Sequence, residues 1–423
     1  MNVNEIKKKM MGLWESVFHD SKEYISLIFD NYFNPEYVEF VESDGRIVSA
    51  LLGVPYEFGN GRNRLKGLYL CGLATSENFR QKGLMTGLID NINERISEEF
   101  DFTFLIPAND LMADYYHRQG YFNSFYRVEE RYTSVHDFKN DFLVGLTDSD
   151  ERIINLKKNL FEELRVVEFG KSQQFTAQDI IAFIKERESK PGSIVNLLHS
   201  SEDIEIILKE NQISGGTIFI AYDKDSKMTG IAFTVKEDVK RIGIPAIFVT
   251  DNCSYYVLLN HIKLFFDDYS ISLYKQSATH ETSLIEKSFG AENPDGSDLE
   301  TLFGMVERPF NPSQNMQPYG MVRLLRFDRI LNFIAETNKE ATFKIIIKDK
   351  NYISEGDSGS IFVIDRGEMR RENIDEAKIN KSVIKLSSKE LSELLLRKRD
   401  NSSLIMEAFG IPRLVLKMAL MLD

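Results

Sequence analysis

With 423 residues, a net charge of −13, 43% hydrophobic and 28% charged residues and only 10 prolines, the chain can bury real cores and is neither disordered nor fibrous. Its length suggests about three domains. The excess of 65 Asp and Glu over 52 Lys and Arg disfavours nucleic acid or an anionic membrane as partner and mildly favours cationic ligands. No run approaches the roughly 18 apolar residues of a membrane span, and the Lys-rich start, Met1 to Met11, lacks a following apolar block. A cytoplasmic protein is expected. Cys71 and Cys253 lie far apart in apolar stretches and read as small buried thiols. The six histidines are scattered without paired ligand spacing, so no metal site is expected.

In chain order, Leu13, Trp14, Val17 and Phe18 take helical spacing, and Tyr37 to Val41 and Ile47 to Val54 form a hairpin around Ser43-Asp44-Gly45. A strand over Leu68 to Ala74 runs into a helix, then a strand Phe102 to Ile106, a helix ending near Gln119 and a strand near Tyr121 to Tyr126. That order predicts a mixed α/β domain over 1–138. A second α/β block over 139–308 has helices near Asp150 to Leu164 and Ala177 to Glu188, strands at Thr217 to Tyr222, Gly230 to Val235 and Ala246 to Thr250, and a helix Tyr255 to Phe266. The polar linker Pro309 to Pro318 marks a boundary. A third unit, 319–423, opens with a helix Asp328 to Thr337 and continues as antiparallel strands, with Gly/Asp turns at Gly356 to Gly359. In it Ser387-Ser388-Lys389-Glu390 spells a capping box, and Pro412 stands where a first helical turn tolerates it.

The most informative segment is Leu68 to Ile96, a buried strand followed by Phe79-Arg80-Gln81-Lys82-Gly83-Leu84-Met85 and a helix with Met85, Leu88, Ile89, Ile92 and Ile96 on one face. Free amides at a helix N-terminus, two cations and a glycine allowing close approach suit a pyrophosphate. One strand and one helix later comes Tyr116-His117-Arg118-Gln119-Gly120-Tyr121. The corresponding junction of the second block, Val249 to Ser254, has neither glycine nor cation, and its Asp251 would repel phosphate. The runs Lys348-Asp349-Lys350 and Arg397-Lys398-Arg399 read as solvated turns or helix ends.

Together, Arg80-Gln81-Lys82-Gly83-Leu84-Met85 and the later tyrosine before a Gly-Tyr turn resemble the GNAT N-acetyltransferases. Met85 replaces the small residue that usually ends the family's loop, and R-x-x-G-Leu-Met resembles the Eis (enhanced intracellular survival) branch. Leu13-Trp14 with Phe18 and Asp20, and Tyr319-Gly320-Met321-Val322-Arg323, fit that branch too. The resemblance covers the whole chain and implies a catalytic GNAT domain, a degenerate GNAT-like domain and a C-terminal domain similar to sterol carrier proteins, assembled as a homo-hexamer. It implies acetyl-CoA as cosubstrate, with Leu73, Ala74 and Thr75 presenting backbone groups to the pantetheine arm. Arg80, Gln81, Gly83, Leu84 and Met85 would face the pyrophosphate, with Gln81 standing where many relatives carry a second cation. Tyr116 would be the general acid, and the terminal carboxylate at Asp423 the base, although relatives often end on an aromatic residue.

Two classes of function are therefore weighed. The first is an N-acetyltransferase acting on a primary amine of a cationic molecule, such as an aminoglycoside, a polyamine or a Lys side chain, with the second block walling the amine pocket. The alternative is a non-catalytic binding or assembly protein built on the same scaffold. The presence of Arg80, Gly83 and Tyr116 in register favours the enzyme. A tRNA-dependent transferase would need a basic face, against the net charge of −13.

Overall fold

The computed structural model describes residues 2–61, 63–144, 151–189, 194–277, 317–348, 360–373, 383–396, 411–412 and 414–418. The expected linker Pro309 to Pro318 up to residue 316, the Gly356 to Gly359 turns, the Arg397-Lys398-Arg399 triplet and Asp423, expected as the base, lie outside them. The chain forms two compact units. The first comprises Met1–Tyr126, Ser189–Leu198 and Pro318–Lys417, and the second is built mainly from Arg127–Glu188 and His199–Gln317.

The chain opens with α1 (Val3–Phe18) and α2 (Lys22–Tyr32), each begun by a side-chain cap. Asn2 accepts from the Glu5 amide at 2.9 Å, and Ser21 accepts from the Tyr24 amide at 3.1 Å. Met10, Leu13 and Trp14 form the buried stripe of α1. The expected hairpin is β1 (Val38–Ser43) with β2 (Arg46–Gly59), and its two turn residues, Asp44 and Gly45, sit at φ of 51° and 73°. Two positive φ values in a two-residue loop match the right-handed twist of the strands. Then follow β3 (Arg64–Thr75), α3 (Leu84–Arg95), β4 (Phe102–Leu105), α4 (Asp110–Arg118) and β5 (Phe122–Tyr132).

Next come α5 (Phe138–Val144), α6 (Glu151–Glu163), β6 (Arg165–Glu168), α7 (Ala177–Glu188), β7 (Val195–Leu198) and α8 (Ser201–Ile213). They are followed by β8 (Thr217–Tyr222), β9 (Met228–Asp238), β10 (Arg241–Val249), α9 (Asn252–Phe265) and β11 (Ser270–Ser277). After residue 316 come β12 (Gln317–Leu324), α10 (Phe327–Thr337), β13 (Thr342–Ile347), β14 (Ser360–Asp365), β15 (Glu368–Asn373), β16 (Val383–Leu386), α11 (Ser388–Leu396) and β17 (Leu416–Lys417). Pro412 lies outside the described helices. None of the described helices is long and apolar enough to cross a membrane.

In the first unit the main sheet runs β17-β7-β2-β3-β4-β12-β5, with β1 paired to β2. The pair β2–β3 is antiparallel, whereas β3–β4 is parallel with α3 as the crossover. β12 inserts between β4 and β5 and runs antiparallel to β4, with Met321 opposite Leu105 and Leu324 opposite Phe102. A segment roughly two hundred residues later in the chain thus completes this sheet. Both faces of this sheet are covered, one carrying Leu51, Leu68 and Leu105 and the other Phe58, Phe102 and Phe104, all buried. The same unit holds a separate sheet, β15-β14-β13-β16, against which α10 packs. The capping box expected before α11 is present, since the Ser387 amide donates to Glu390 at 2.7 Å and the Glu390 amide donates to Ser387 Oγ at 3.2 Å.

The second unit repeats the motif of the first. Strands β8, β9 and β10 form an antiparallel meander, α9 crosses over, and β11 returns parallel to β10. This is the order of β1, β2, β3, α3 and β4, so the two α/β blocks are tandem copies of one topology. Cys253 is buried as expected. Cys71 departs from that reading: it is half-buried on β3, one residue before the break in that strand's register described below.

Candidate active site

The site begins with a break in β3. Ala50 faces Ala74 and Leu52 faces Cys71, so Gly72 and Leu73 together oppose Leu51. This is a bulge with a glycine in the left-handed region, φ 57° at Gly72, which bends the strand and re-aims the residues beyond it. Pairing of β3 with β4 ends at Tyr69 opposite Phe104, while β3 continues to Thr75. Past Tyr69 one edge of β3 is therefore free of β4, and Leu73, Ala74 and Thr75 lie on that stretch. Strand β2 secures its other edge. Ser49 and Thr75 share a hydroxyl hydrogen bond at 2.9 Å, and the Ser76 amide donates to the Val48 carbonyl at 2.9 Å.

From Thr75 the chain takes one 3-10 turn, Glu77–Phe79, and reaches Arg80. Arg80 Nε donates back to the Thr75 carbonyl at 3.1 Å, closing the loop on its own strand. Gln81 and Gly83 then both take the left-handed conformation, with φ of 62° and 74°. For Gln81 that costs energy, which a loop stores where backbone amides must face one direction. Gly83 is the N-cap of α3 and provides no side-chain acceptor to its first turn. The amides of Leu84, Met85 and Thr86 have no intrahelical partner by helix geometry, and the space a Gly83 side chain would take is open. An uncapped amino end beside exposed Arg80 and Lys82 is chemically suited to an anion.

Tyr116 stands on α4 in the apolar cluster that also holds Leu51, Leu70, Leu105 and Met321, with Leu73, Met85 and Tyr115 packed against it. Thus one cluster gathers the bulge, the first turn of α3 and the tyrosine. Burial pushes the Tyr116 phenol well above its ordinary value, so it keeps its proton at any physiological pH. Its ring packs edge-on to Tyr115 and Tyr121 at 5.2 and 6.0 Å, and among the described residues its hydroxyl has no hydrogen-bond partner. A buried, protonated and unengaged phenol is equipped to donate to a developing anion.

Of the expected site residues, Leu73, Ala74, Thr75, Arg80, Gln81, Gly83, Leu84, Met85 and Tyr116 fall within this one region of the first unit. Several contributors escaped sequence reasoning. Gly72 has a signal, an isolated glycine inside an apolar strand. Trp14, which covers it, and the Thr86–Tyr115 hydrogen bond have none. Among the described residues, no group of His, Cys, Asp and Glu is arranged to hold a metal ion.

The second unit treats the equivalent junction differently. Only Thr250 and Asp251 separate β10 from α9. Asp251 caps the helix itself, Oδ1 accepting from the Ser254 amide at 2.8 Å and Oδ2 from the Thr250 hydroxyl at 2.5 Å and the Ser254 hydroxyl at 3.1 Å. The positive end that α3 leaves open is filled in α9 by the protein's own carboxylate.

The family described as acetyltransferase (GNAT) domain matches residues 4–122, the stretch that contains bulge, loop and tyrosine. The chain carries a GNAT acetyltransferase domain. With it the chain is an N-acetyltransferase, and its Eis-like fold extends beyond that domain. A probable N-acyltransferase from Enterococcus faecalis V583 superposes with a TM-score of 0.66 at 13% identity, covering 99% of this chain and 97% of that one. A GCN5-related N-acetyltransferase from Kribbella flavida gives 0.60 at 14% identity, covering 99% and 98%. Eis1 from Mycobacterium abscessus gives 0.57 at 11% identity, covering 96% and 90%. At these identities the likeness is one of fold. No curated protein matches the sequence.

Proposed function

We propose that the chain transfers the acetyl group of acetyl-CoA to a primary amine of a cationic acceptor, an aminoglycoside, polyamine or Lys side chain, by direct attack on the thioester. The observation that carries this is the pairing of an uncapped α3 amino end with a buried phenol in the same apolar cluster. The GNAT domain uses acetyl-CoA, and the residues present fit it: open space at Gly83, free first-turn amides and two exposed cations for the phosphates, and the edge of Leu73, Ala74 and Thr75 that β4 leaves free for the pantetheine amides. Gln81, Leu84 and Met85 complete the cradle.

Acetyl-CoA supplies an acyl carbon activated as a thioester. The amine nitrogen forms its bond to that carbon as the carbon–sulfur bond breaks, and the Tyr116 proton is the one available to the departing sulfur. The acceptor ammonium must first lose a proton, for which we assign the α- or side-chain carboxylate of Asp423. The direction of β17 supports this assignment. β17 runs parallel to β7, which is antiparallel to β2, so Leu416 and Lys417 run in the direction of the bulge end of β2. The net charge of −13 favours a cationic acceptor. The same family likeness makes a homo-hexamer with a sterol-carrier-like C-terminal part the expected assembly, which light scattering measures directly.

The test is calorimetric titration with acetyl-CoA of the parent chain and of Arg80→Ala, followed by thiol release with candidate amines. Micromolar binding weakened in the variant supports the cradle. Absence of binding at millimolar cosubstrate overturns the reading in favour of a binding or assembly role.

A further inference from the structure

No hydrogen bond orients the Tyr116 hydroxyl among the described residues, so the phenol is placed by its helix and by the packing of its ring on Tyr115 and Tyr121. What fixes α4 against α3 therefore decides where the phenol points. One side chain joins the two helices at the height of the site. Thr86 is the third residue of α3, directly after the cradle residues Leu84 and Met85. Its hydroxyl shares a hydrogen bond with the Tyr115 hydroxyl at 3.0 Å and accepts from Gln119 Nε2 at 3.3 Å. Tyr115 immediately precedes Tyr116, and Gln119 is the C-cap of the same helix.

The far end of this chain of contacts is also held. Arg323 of β12 donates from Nη1 to the Gln119 carbonyl at 3.0 Å and to Asp90 Oδ1 on α3 at 3.2 Å. Helix α4 is thus tied to α3 at Thr86 and, one turn later, at Asp90. Only the first of these ties reaches the turn whose amides face the cosubstrate.

We propose that Thr86 is a positioning residue that couples the coenzyme A cradle to the acid Tyr116, an inference that rests on the acid role assigned above. Through Tyr115 and Gln119 it sets the register of α4 against the first turn of α3. Thr86→Val keeps the shape of the side chain and removes both hydrogen bonds, whereas Thr86→Ser restores the hydroxyl.

The experiment is a double-mutant cycle in the full chain with Thr86→Val, Tyr116→Phe and their combination. Thiol release from acetyl-CoA is followed with spermidine as acceptor and with water alone, beside calorimetric acetyl-CoA affinity. Thr86→Val is expected to lower kcat about tenfold, the scale on which small misplacement of a catalytic group acts, with affinity held within about twofold. Thr86→Ser should recover the loss, and the loss should vanish in the Tyr116→Phe background. An equal loss in both backgrounds, or an effect confined to affinity, overturns the positioning role. A Tyr116→Phe variant as active as the parent instead overturns the acid assignment, so the two failures are distinguishable. Should Thr86→Val melt far below the parent, Thr86→Ala replaces it in the same cycle.

Discussion

The six-membered ring of Trp14 lies where a side chain at Gly72 would have to be, so the indole of α1 is seated on the bulge of β3. Trp14 is itself held, donating from Nε1 to Asp20 Oδ2 at 2.7 Å across the α1–α2 junction. Gly72 needs its glycine twice, for a φ of 57° and for this contact. Gly72→Ala should therefore destabilise the chain by about 3 kcal/mol or more, combining the left-handed cost with overpacking. Urea unfolding measures it. A loss below about 1 kcal/mol would show that the indole moves aside freely.

Gly83 presents the opposite case. It has a φ of 74° but open space around it, so a methyl group there meets only the backbone cost of about 1 kcal/mol. Acetyl-CoA affinity should fall far more, by about tenfold or beyond, because the added carbon stands in the space the phosphates approach. Parallel unfolding and calorimetry on Gly83→Ala separate the two effects. Affinity lost only in proportion to stability would remove Gly83 from the cradle.

How much of this was readable in advance follows from how local each feature is. The loop Arg80 to Met85, the α3 stripe and Tyr116 on α4 depend on neighbours within a few residues, and the chain spelled them out. The Asp44-Gly45 hairpin and the Ser387 capping box were legible for the same reason. The insertion of β12 between β4 and β5 was not, since nothing near Met321 announces that its partner is Leu105. Strand β7 was invisible for a related reason: four residues, Val195–Leu198, carry too short a pattern, and their pairing with β2 and β17 is entirely non-local. Trp14 on Gly72 joins two segments nearly sixty residues apart and left only an isolated glycine as its trace.

Tyrosine ionisation gives a prediction with a definite sign. Burial and a hydrogen bond to Glu99 at 2.6 Å push Tyr37 up to about 12, and burial pushes Tyr116 well above the ordinary value. The unfolded chain releases these protons near pH 10 while the folded chain retains them, so the unfolded state binds fewer protons above that pH. Stability should be fully present below about pH 10 and fall as pH rises through the window toward 12. Tyr37→Phe should flatten that decline in urea unfolding at alkaline pH, and an unchanged slope would contradict the shift. Turnover should show no limb from Tyr116 deprotonation below about pH 10.

The two helix starts, α3 and α9, make one further contrast testable. Asp251 caps α9 with its own carboxylate, and Asp251→Ala should cost about 1 kcal/mol without creating a second cosubstrate site, because the two-residue junction of Thr250 and Asp251 carries neither cation nor glycine. The parent chain should accordingly bind one acetyl-CoA per chain by calorimetry. The converse change is Gly83→Asp, which places a carboxylate at the N-cap of α3 in a left-handed position that Asp tolerates better than most residues. It should leave folding nearly intact yet abolish acetyl-CoA binding, since the charge that belongs to the phosphates is then supplied by the protein. Gly83→Asn, similar in shape but neutral, should retain more affinity than Gly83→Asp, and equal losses in the two variants would mean that bulk, not charge, governs this end of the helix.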